Sequence, residues 1–292
     1  MTPRIAVIVP CHGDGPLVAD AVHSVVEEEP VELVVADDAS PDDDTRRTLA
    51  ALEAEGVRVL RLETRSGPGI ARTRALAATS APFVYPLDAD DLALPGIVSR
   101  MADVLEANPA AAACVGDIVE FGAGTELVRR VPGRLDPYRV ALTNEYPVTA
   151  LFRRTALEAC DGWQRLHSRF GYEDWNLWMA LAERGERIVH VGAPGYRRRL
   201  HGRRLNQDAR ERHRILYAEL RRAHPALFDR LREHRASSDL SPAKRLLYPV
   251  LFGARASVPL ERMLKPWFDR LGLWTRAVPQ RRGGRRGRRS AG

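Results

Sequence analysis

The chain has 292 residues, 45% of them hydrophobic and 28% charged. This places it among globular proteins with a real core, as one large α/β domain with an appendage or two modest domains. Three widely spaced cysteines, Cys11, Cys114 and Cys160, form neither a disulfide framework nor a zinc spacing and fit a reducing compartment. Six of the seven net positive charges come from Arg281, Arg282, Arg285, Arg286, Arg288 and Arg289, so the body is nearly neutral and does not by itself call for nucleic acid.

An apolar, β-rich run at 5–9 ends at Pro10-Cys11-His12-Gly13-Asp14-Gly15-Pro16, punctuated like a loop from a strand into a helix. The run is too short for the apolar segment of a signal peptide, and no stretch reaches about 18 uninterrupted apolar residues. A soluble, cytoplasmic protein is therefore expected. Leu17, Ala21, Val22 and Val25 recur at helical spacing. A second strand at 31–36 ends in Asp37-Asp38-Ala39-Ser40-Pro41. There Ser40 reads as an N-cap and Pro41 as the first helical residue, with acids at 42–44 in the first turn. That helix runs to about Glu55, and Gly56 precedes a third strand at 57–62. Gly67-Pro68-Gly69 opens a helix over 70–78 carrying Arg72 and Arg74, and a fourth strand starts at Phe83. Strands alternating with helices of about 10–15 residues predict βαβ units and a parallel sheet.

The fourth strand runs into Asp88-Ala89-Asp90-Asp91. Three carboxylates in four positions repel one another unless a cation joins them. Hard divalent ions take oxygen ligands, and Mg²⁺ usually shares its shell with substrate phosphates. In open α/β sheets the ligand sits beyond the carboxyl ends of the strands, which makes this a candidate site for a metal-bound diphosphate. The plainer alternative is a solvated acidic loop whose last Asp caps the next helix.

Beyond Pro95 a helix runs to about Ala107, and 111–121 reads as another strand. Residues 122–147, rich in Gly, Pro and Arg, are irregular and carry no assignment, and 152–160 reads as helix. Gly171-Tyr172-Glu173-Asp174-Trp175-Asn176-Leu177-Trp178 opens a helix to 184 with Leu177, Trp178 and Leu181 on one face. Glu173 and Asp174 fall in its first turn, where the dipole favours anions. A short strand at 188–191 is followed by Tyr196-Arg197-Arg198-Arg199-Leu200-His201. From 207 to about 235 the pattern is helical and densely charged. Residues 240–274 suit either helices covering the core or segments lying on a membrane surface. From about Pro279 the Arg/Gly sequence is low in complexity and reads as disordered.

Five patterns stand in order: Val-Ile-Val-Pro10, Val-Val-Ala-Asp37-Asp38-Ala-Ser, Gly67-Pro-Gly-Ile-Ala-Arg72, Leu-Asp88-Ala-Asp90-Asp91 and Gly-Tyr-Glu173-Asp174-Trp-Asn-Leu-Trp. Together they resemble glycosyltransferase family 2, inverting enzymes that use nucleotide-sugar donors, over roughly residues 4–205. The resemblance implies a GT-A (Rossmann-like) α/β fold: a mixed, mainly parallel sheet flanked by helices. It implies a catalytic domain at 1–205; the residues beyond read as a helical C-terminal extension at 206–277 and a disordered Arg/Gly tail at 278–292. It also implies site roles. Pro10 lies under the nucleobase, and Asp38 accepts from the imide N–H of a uracil or thymine base. Arg72 lies near the donor phosphates, and Glu173 belongs to the nucleotide-sugar site. Asp88 and Asp90 form the Asp-x-Asp signature that holds ribose and a divalent metal, Mg²⁺ or Mn²⁺, with His201 completing the metal shell. Asp174 is the catalytic base, and Asp91 serves the site or only caps the next helix. The implied partners are a UDP- or dTDP-sugar and a sugar, lipid-linked or other hydroxyl acceptor, in the synthesis of cell-envelope polysaccharide, glycolipid or glycoconjugate.

The sequence departs from the family pattern at His12 and Gly13, where an aromatic and an Asn are usual, at Ala39 for Gly and at Thr73 for Asn. These differences touch base contacts and leave the reaction class alone. Without the resemblance, Glu173 and Asp174 are acids at a helix start, Asp38 is a turn residue, Arg72 is a rim cation, and His201 is a surface imidazole. Trp163, Trp175 and Trp178 suit core packing better than stacking on sugars. Two other classes stay open: a nucleotide-sugar-binding protein without catalysis, and a nucleic-acid-binding protein driven by the tail. The tail is assigned instead to anionic lipid head groups, at the inner face of a cell membrane.

Overall fold

The computed structural model describes residues 2–122, 126–163, 171–200, 212–253, 267 and 277–279. Its first half runs β1 (Ile5–Cys11), α1 (Leu17–His23), β2 (Glu32–Asp37), α2 (Asp43–Ala54), β3 (Arg58–Arg61), α3 (Pro68–Ala77) and β4 (Phe83–Pro86). β1 lies between β2 and β4, parallel to both, and β2 is parallel to β3. Every residue of β1 is buried, as a central parallel strand covered on both faces requires. Its side chains divide by parity. Ile5, Val7 and Val9 pack with Val18, Leu49, Leu52 and Met101 on one face, while Ile8 packs with Ala71, Ala75 and Trp178 on the other.

The second half adds β5 (Leu92–Ala93), α4 (Ile97–Glu106), β6 (Ala111–Phe121), β7 (Leu127–Arg129), α5 (Pro137–Leu142) and β8 (Leu151–Arg153). Then come α6 (Arg154–Ala159), α7 (Glu173–Glu183) and β9 (Arg187–Arg199). Helices α8 (His213–Ala223), α9 (Pro225–Asp229), α10 (Leu231–Ser237) and α11 (Pro242–Leu251) follow, and β10 (Ala277–Pro279) pairs with β7. The sheet order is β10-β7-β6-β8-β4-β1-β2-β3, with β9 joining β6 and β5. β8 is antiparallel to both β4 and β6, so the sheet is mixed, and its β3–β4 half is parallel. The loops after β1, β2 and β4 therefore open at one edge, at the carboxyl ends of the parallel strands.

Several local expectations are corrected. The N-cap of α2 is Asp42, whose carboxylate accepts from Thr45 N at 2.8 Å. Ser40 is buried before it, its Oγ accepting from Gly13 N at 3.1 Å, so it joins two loops instead of starting the helix. The stretch left unassigned holds β7 and α5, the latter capped by Asp136 with Pro137 at its start. Residues 151–153 are strand before α6 begins, and Pro225 divides the charged segment after residue 212 into α8 and α9. The short strand at 188–191 extends to Arg199. Gly192, Pro194 and Gly195 look like breakers, but the register shifts against β6 between Val115 and Ile118. A Cβ on Gly116 would sit 2.5 Å from Gly195 N, so these glycines mark two backbones passing closely at a bulge. Among the described residues no helix is long and apolar enough to cross a membrane. Helix α11 docks through buried Tyr248 and leaves Leu246, Leu247 and Val250 exposed.

Candidate active site

Strand β4 delivers the acidic loop. Leu87 N bonds Ile8 O at 3.0 Å, and Asp91 N bonds Asp88 O at 3.0 Å, closing a turn that brings the carboxylates together. One oxygen from each of Asp88, Asp90 and Asp91 lies within 4.8 Å of the others, the one such group of three or more ligands among the described residues. Asp91 does not cap the following helix: α4 starts after Gly96, which adopts a left-handed conformation. Asp91 is instead buried and accepts from Arg199 N at 2.8 Å. Arg199 also donates through Nε to Asp90 O at 3.1 Å and through Nη2 to Asp20 at 2.9 Å, so the end of β9 clasps the loop. Burial, then Asp90 and Asp88, push the Asp91 carboxyl well above the usual range. Asp14, from the loop after β1, is likewise raised by burial, with Asp90 and Asp88 adding to the effect. Converging carboxylates form a donor set that suits a hard divalent cation.

Arg72 ties this loop to the rest of the site. It lies on α3, whose entry is held by Asp38: the carboxylate accepts from Ser66 N at 2.6 Å and from Gly67 N at 2.7 Å. Asp38 is 2% exposed, and His12 Nδ1 lies 2.7 Å from its carbonyl oxygen. Pro10, on β1, pairs with Ala36 beneath this corner. Arg72 is not a rim cation. It is 5% exposed, it pairs with Asp88, and its Nε has no hydrogen-bond partner. Burial works against its charge, but Asp88, Glu173 and Asp174 keep it protonated. The guanidinium thus stands between the acidic loop and the start of α7.

Helix α7 supplies the opposing wall. Tyr172 precedes it at φ +65°, and Glu173 Oε1 accepts from Gly171 N at 2.8 Å, folding the acid back over the helix start. Asp174 accepts from Trp175 N at 2.8 Å and from Asn144 Nδ2 at 2.9 Å. Burial, reinforced by Glu173, raises its carboxyl to about 6. Arg72 and Asp88 also act on its ionisation, so the acid of α7 lies within electrostatic reach of the acidic loop. Trp175 and Trp178 are buried and donate to Val140 O and Pro147 O, and Trp163 is fully buried, so all three pack the core. His201 lies outside the described residues. Sequence reasoning missed Asn144, Asp14 and Arg199. Asp14, flanked by glycines after a strand, offered a faint signal, while Asn144 and Arg199 offered none.

A sheet of this order, with an acidic loop after the fourth strand and a second-half helix bringing acids to it, defines the GT-A class of glycosyltransferase folds. The model of glycosyl transferase family 2 matches residues 6–160, and the chain belongs to that family; it is a glycosyltransferase. Over 257 residues it is 29% identical to the succinoglycan biosynthesis protein ExoU of Rhizobium meliloti (strain 1021), covering 82% of this chain and 73% of that protein. Its fold is similar to S. aureus TarS 1-349 in complex with UDP-GlcNAc, with a TM-score of 0.59 at 20% identity over 84% of this chain and 69% of that one. It is also similar to the mannosyltransferase PcManGT from Pyrobaculum calidifontis in complex with GDP-Man and Mn²⁺, with a TM-score of 0.56 at 20% identity over 94% and 81%.

Proposed function

We propose that the enzyme moves a sugar from a UDP- or dTDP-sugar to an acceptor hydroxyl with inversion, in the assembly of a cell-surface polysaccharide or glycoconjugate. The polysaccharide assignment is supported by the likeness to a succinoglycan biosynthesis protein over most of the chain. The observation that supports the chemistry is the setting of Asp174, a carboxyl raised to about 6 by burial and Glu173 within electrostatic reach of the Arg72–Asp88 ion pair. A carboxylate poised near neutrality is matched to taking a proton from a hydroxyl, a contribution of about 10²–10⁴-fold.

Asp88 and Asp90 would hold a divalent cation, Mg²⁺ or Mn²⁺, which when bound supplies Lewis-acid stabilisation of the charge growing on the leaving diphosphate. The rest is done by the chain. Arg72, already buried and charged, adds a fixed cation beside the diphosphate without having to reorganise. Each Asp38 oxygen that accepts a backbone N–H keeps a second lone pair, so the carboxylate can also take the imide N–H of the base. Glu173, folded over the start of α7, borders the donor sugar. Asn144 and Trp175 N fix the Asp174 carboxylate, leaving its remaining lone pairs for the acceptor hydroxyl. Replacing Asp174 with Asn should reduce transfer from UDP-sugars by at least about 10²-fold while UDP still binds in the presence of Mn²⁺. Full transfer by that variant would remove Asp174 from the base role.

The tail arginines are assigned to anionic lipid head groups, each contributing about 1 kcal/mol near such a surface. Liposome co-sedimentation that is unchanged by deleting residues 279–292 would overturn that assignment.

A further inference from the structure

Two arginines beside the site are not accounted for by the donor. Arg129 on β7 is opposite Ile118 of β6, which in turn is opposite Tyr196 of β9. Two residues along, Glu120 of β6 is opposite Arg198 of β9. Side chains two apart on a strand share a face, so Arg129, Tyr196, Glu120 and Arg198 lie together. Arg198 pairs with Glu120. Among the described residues no carboxylate lies within ion-pair distance of Arg129. Among those residues its one polar contact is a long 3.4 Å bond from Nη2 to Glu145 O, and the Glu145 carboxylate is taken by Arg139 at 2.6 Å. The Nε atoms of both Arg129 and Arg198 are buried without a partner. Burial and the neighbouring Arg198 work against the charge on Arg129. Arg198 keeps 23% of its side chain exposed, so the pair can be reached from solvent.

Its position is informative. Arg198 adjoins Arg199, whose backbone N–H and Nε bind the Asp91 carboxylate and Asp90 O at 2.8 and 3.1 Å. The Glu145 carbonyl that Arg129 touches follows Asn144, the residue that holds Asp174. The arginines therefore adjoin the segments that hold the acidic loop and the base, while the diphosphate is already assigned to Arg72 and to the cation of Asp88 and Asp90. Glu120 and Glu145 offset part of that cost from a distance, but a buried cation without an ion pair of its own is costly, and guanidinium groups suit oxyanions through forked, charge-assisted hydrogen bonds.

We propose that Arg129 and Arg198 form a subsite for an oxyanion, a phosphate or a carboxylate, carried by the acceptor; this rests on the sugar-transfer reading above. The enzyme would thus prefer an anionic acceptor to a neutral one. The test uses the full chain in metal-free buffer of matched ionic strength, with inorganic phosphate, glucuronate and, as the neutral control, glucose. Phosphate, glucuronate or both should raise the Tm of the wild type, and glucose should not. The responding anion identifies which oxyanion the site takes. Arg129→Gln should weaken that anion about tenfold or more, the loss of one charge-assisted contact, and leave UDP binding with Mn²⁺ unchanged. If Arg129→Gln fails to fold, the double variant Arg198→Gln/Glu120→Gln, which removes the ion pair as a neutral couple, should lose the anion response in the same way. A wild type that ignores both anions, a response that survives these substitutions, or a parallel loss of UDP affinity would overturn the proposal. A wild type that responds to the anions but not to UDP with Mn²⁺ would defeat the donor reading alone.

Discussion

Asp174 accepts two hydrogen bonds, which favour its charged form, and still titrates at about 6 because burial and Glu173 outweigh them. Two consequences follow, with opposite signs for activity and stability. A base works when deprotonated, so kcat/KM, which reports the free enzyme, should climb through about pH 6 and then level off. An acid whose folded value stands above its unfolded one contributes stability below about 3.8 and loses it as pH rises through about 6. Asp174→Asn should therefore gain on the wild type by about 1–2 kcal/mol between pH 4 and pH 7, after discounting for partial exposure. Thermal melts of both proteins across that range check it, and a constant difference would show that Asp174 does not titrate there. Asp174 is legible in the sequence because it sits in a local pattern beside Glu173. Asn144 is not, because it lies 30 residues away and only the packing of α5 and its following loop on α7 brings it close.

Helices α3 and α7 meet where Gly69 leaves room. A Cβ there would lie 2.7 Å from Trp163 O and 2.9 Å from Glu173 Cγ, so the missing side chain sets how closely Arg72 approaches the acids of α7. Gly69→Ala adds helix propensity worth up to about 1 kcal/mol but forces a shift costing about 1–3 kcal/mol. A net loss of about 1–2 kcal/mol in denaturant unfolding is expected, with a fall in kcat larger than any rise in KM for the donor. Unchanged stability and kcat would mean that the helices tolerate separation. From sequence, Gly67-Pro68-Gly69 announces the start of α3, but nothing shows that its second glycine is a contact between helices. The same limit explains β9: Gly192 and Gly195 read as breakers because local punctuation cannot distinguish a turn from a close crossing. The cap of α2 fell to Asp42 because Ser40 is engaged by Gly13, a partner from another loop.

At the scale of the molecule, periodicity exposes the parallel half of the sheet, since each strand and helix there is complete within a short window. The antiparallel half is less legible, because β7, β8 and the far end of β9 are short or irregular and depend on pairing partners distant in the chain. The site straddles both halves: Asp14, Asp38, Arg72 and the acidic loop come from one, while Asp174, Asn144 and Arg199 come from the other. With Asp90, Asp91 and Asp14 gathered around the Arg72–Asp88 pair, the folded state carries repulsion that a bound cation would relieve, so ligand binding should report directly on stability. At a ligand concentration of about 100 Kd the folded state gains about 2.7 kcal/mol, or roughly 4–5 °C for a chain of this size. UDP with Mn²⁺ should produce such a shift, and UDP in EDTA should give much less. Asp90→Asn should remove the Mn²⁺ dependence. Asp88→Asn should in addition lower the Tm of the metal-free protein, because it strips the buried Arg72 of its ion-pair partner at a cost of about 1–3 kcal/mol. If instead UDP shifts the wild type equally with and without Mn²⁺, the acidic loop holds no catalytic cation and Arg72 carries the diphosphate without one.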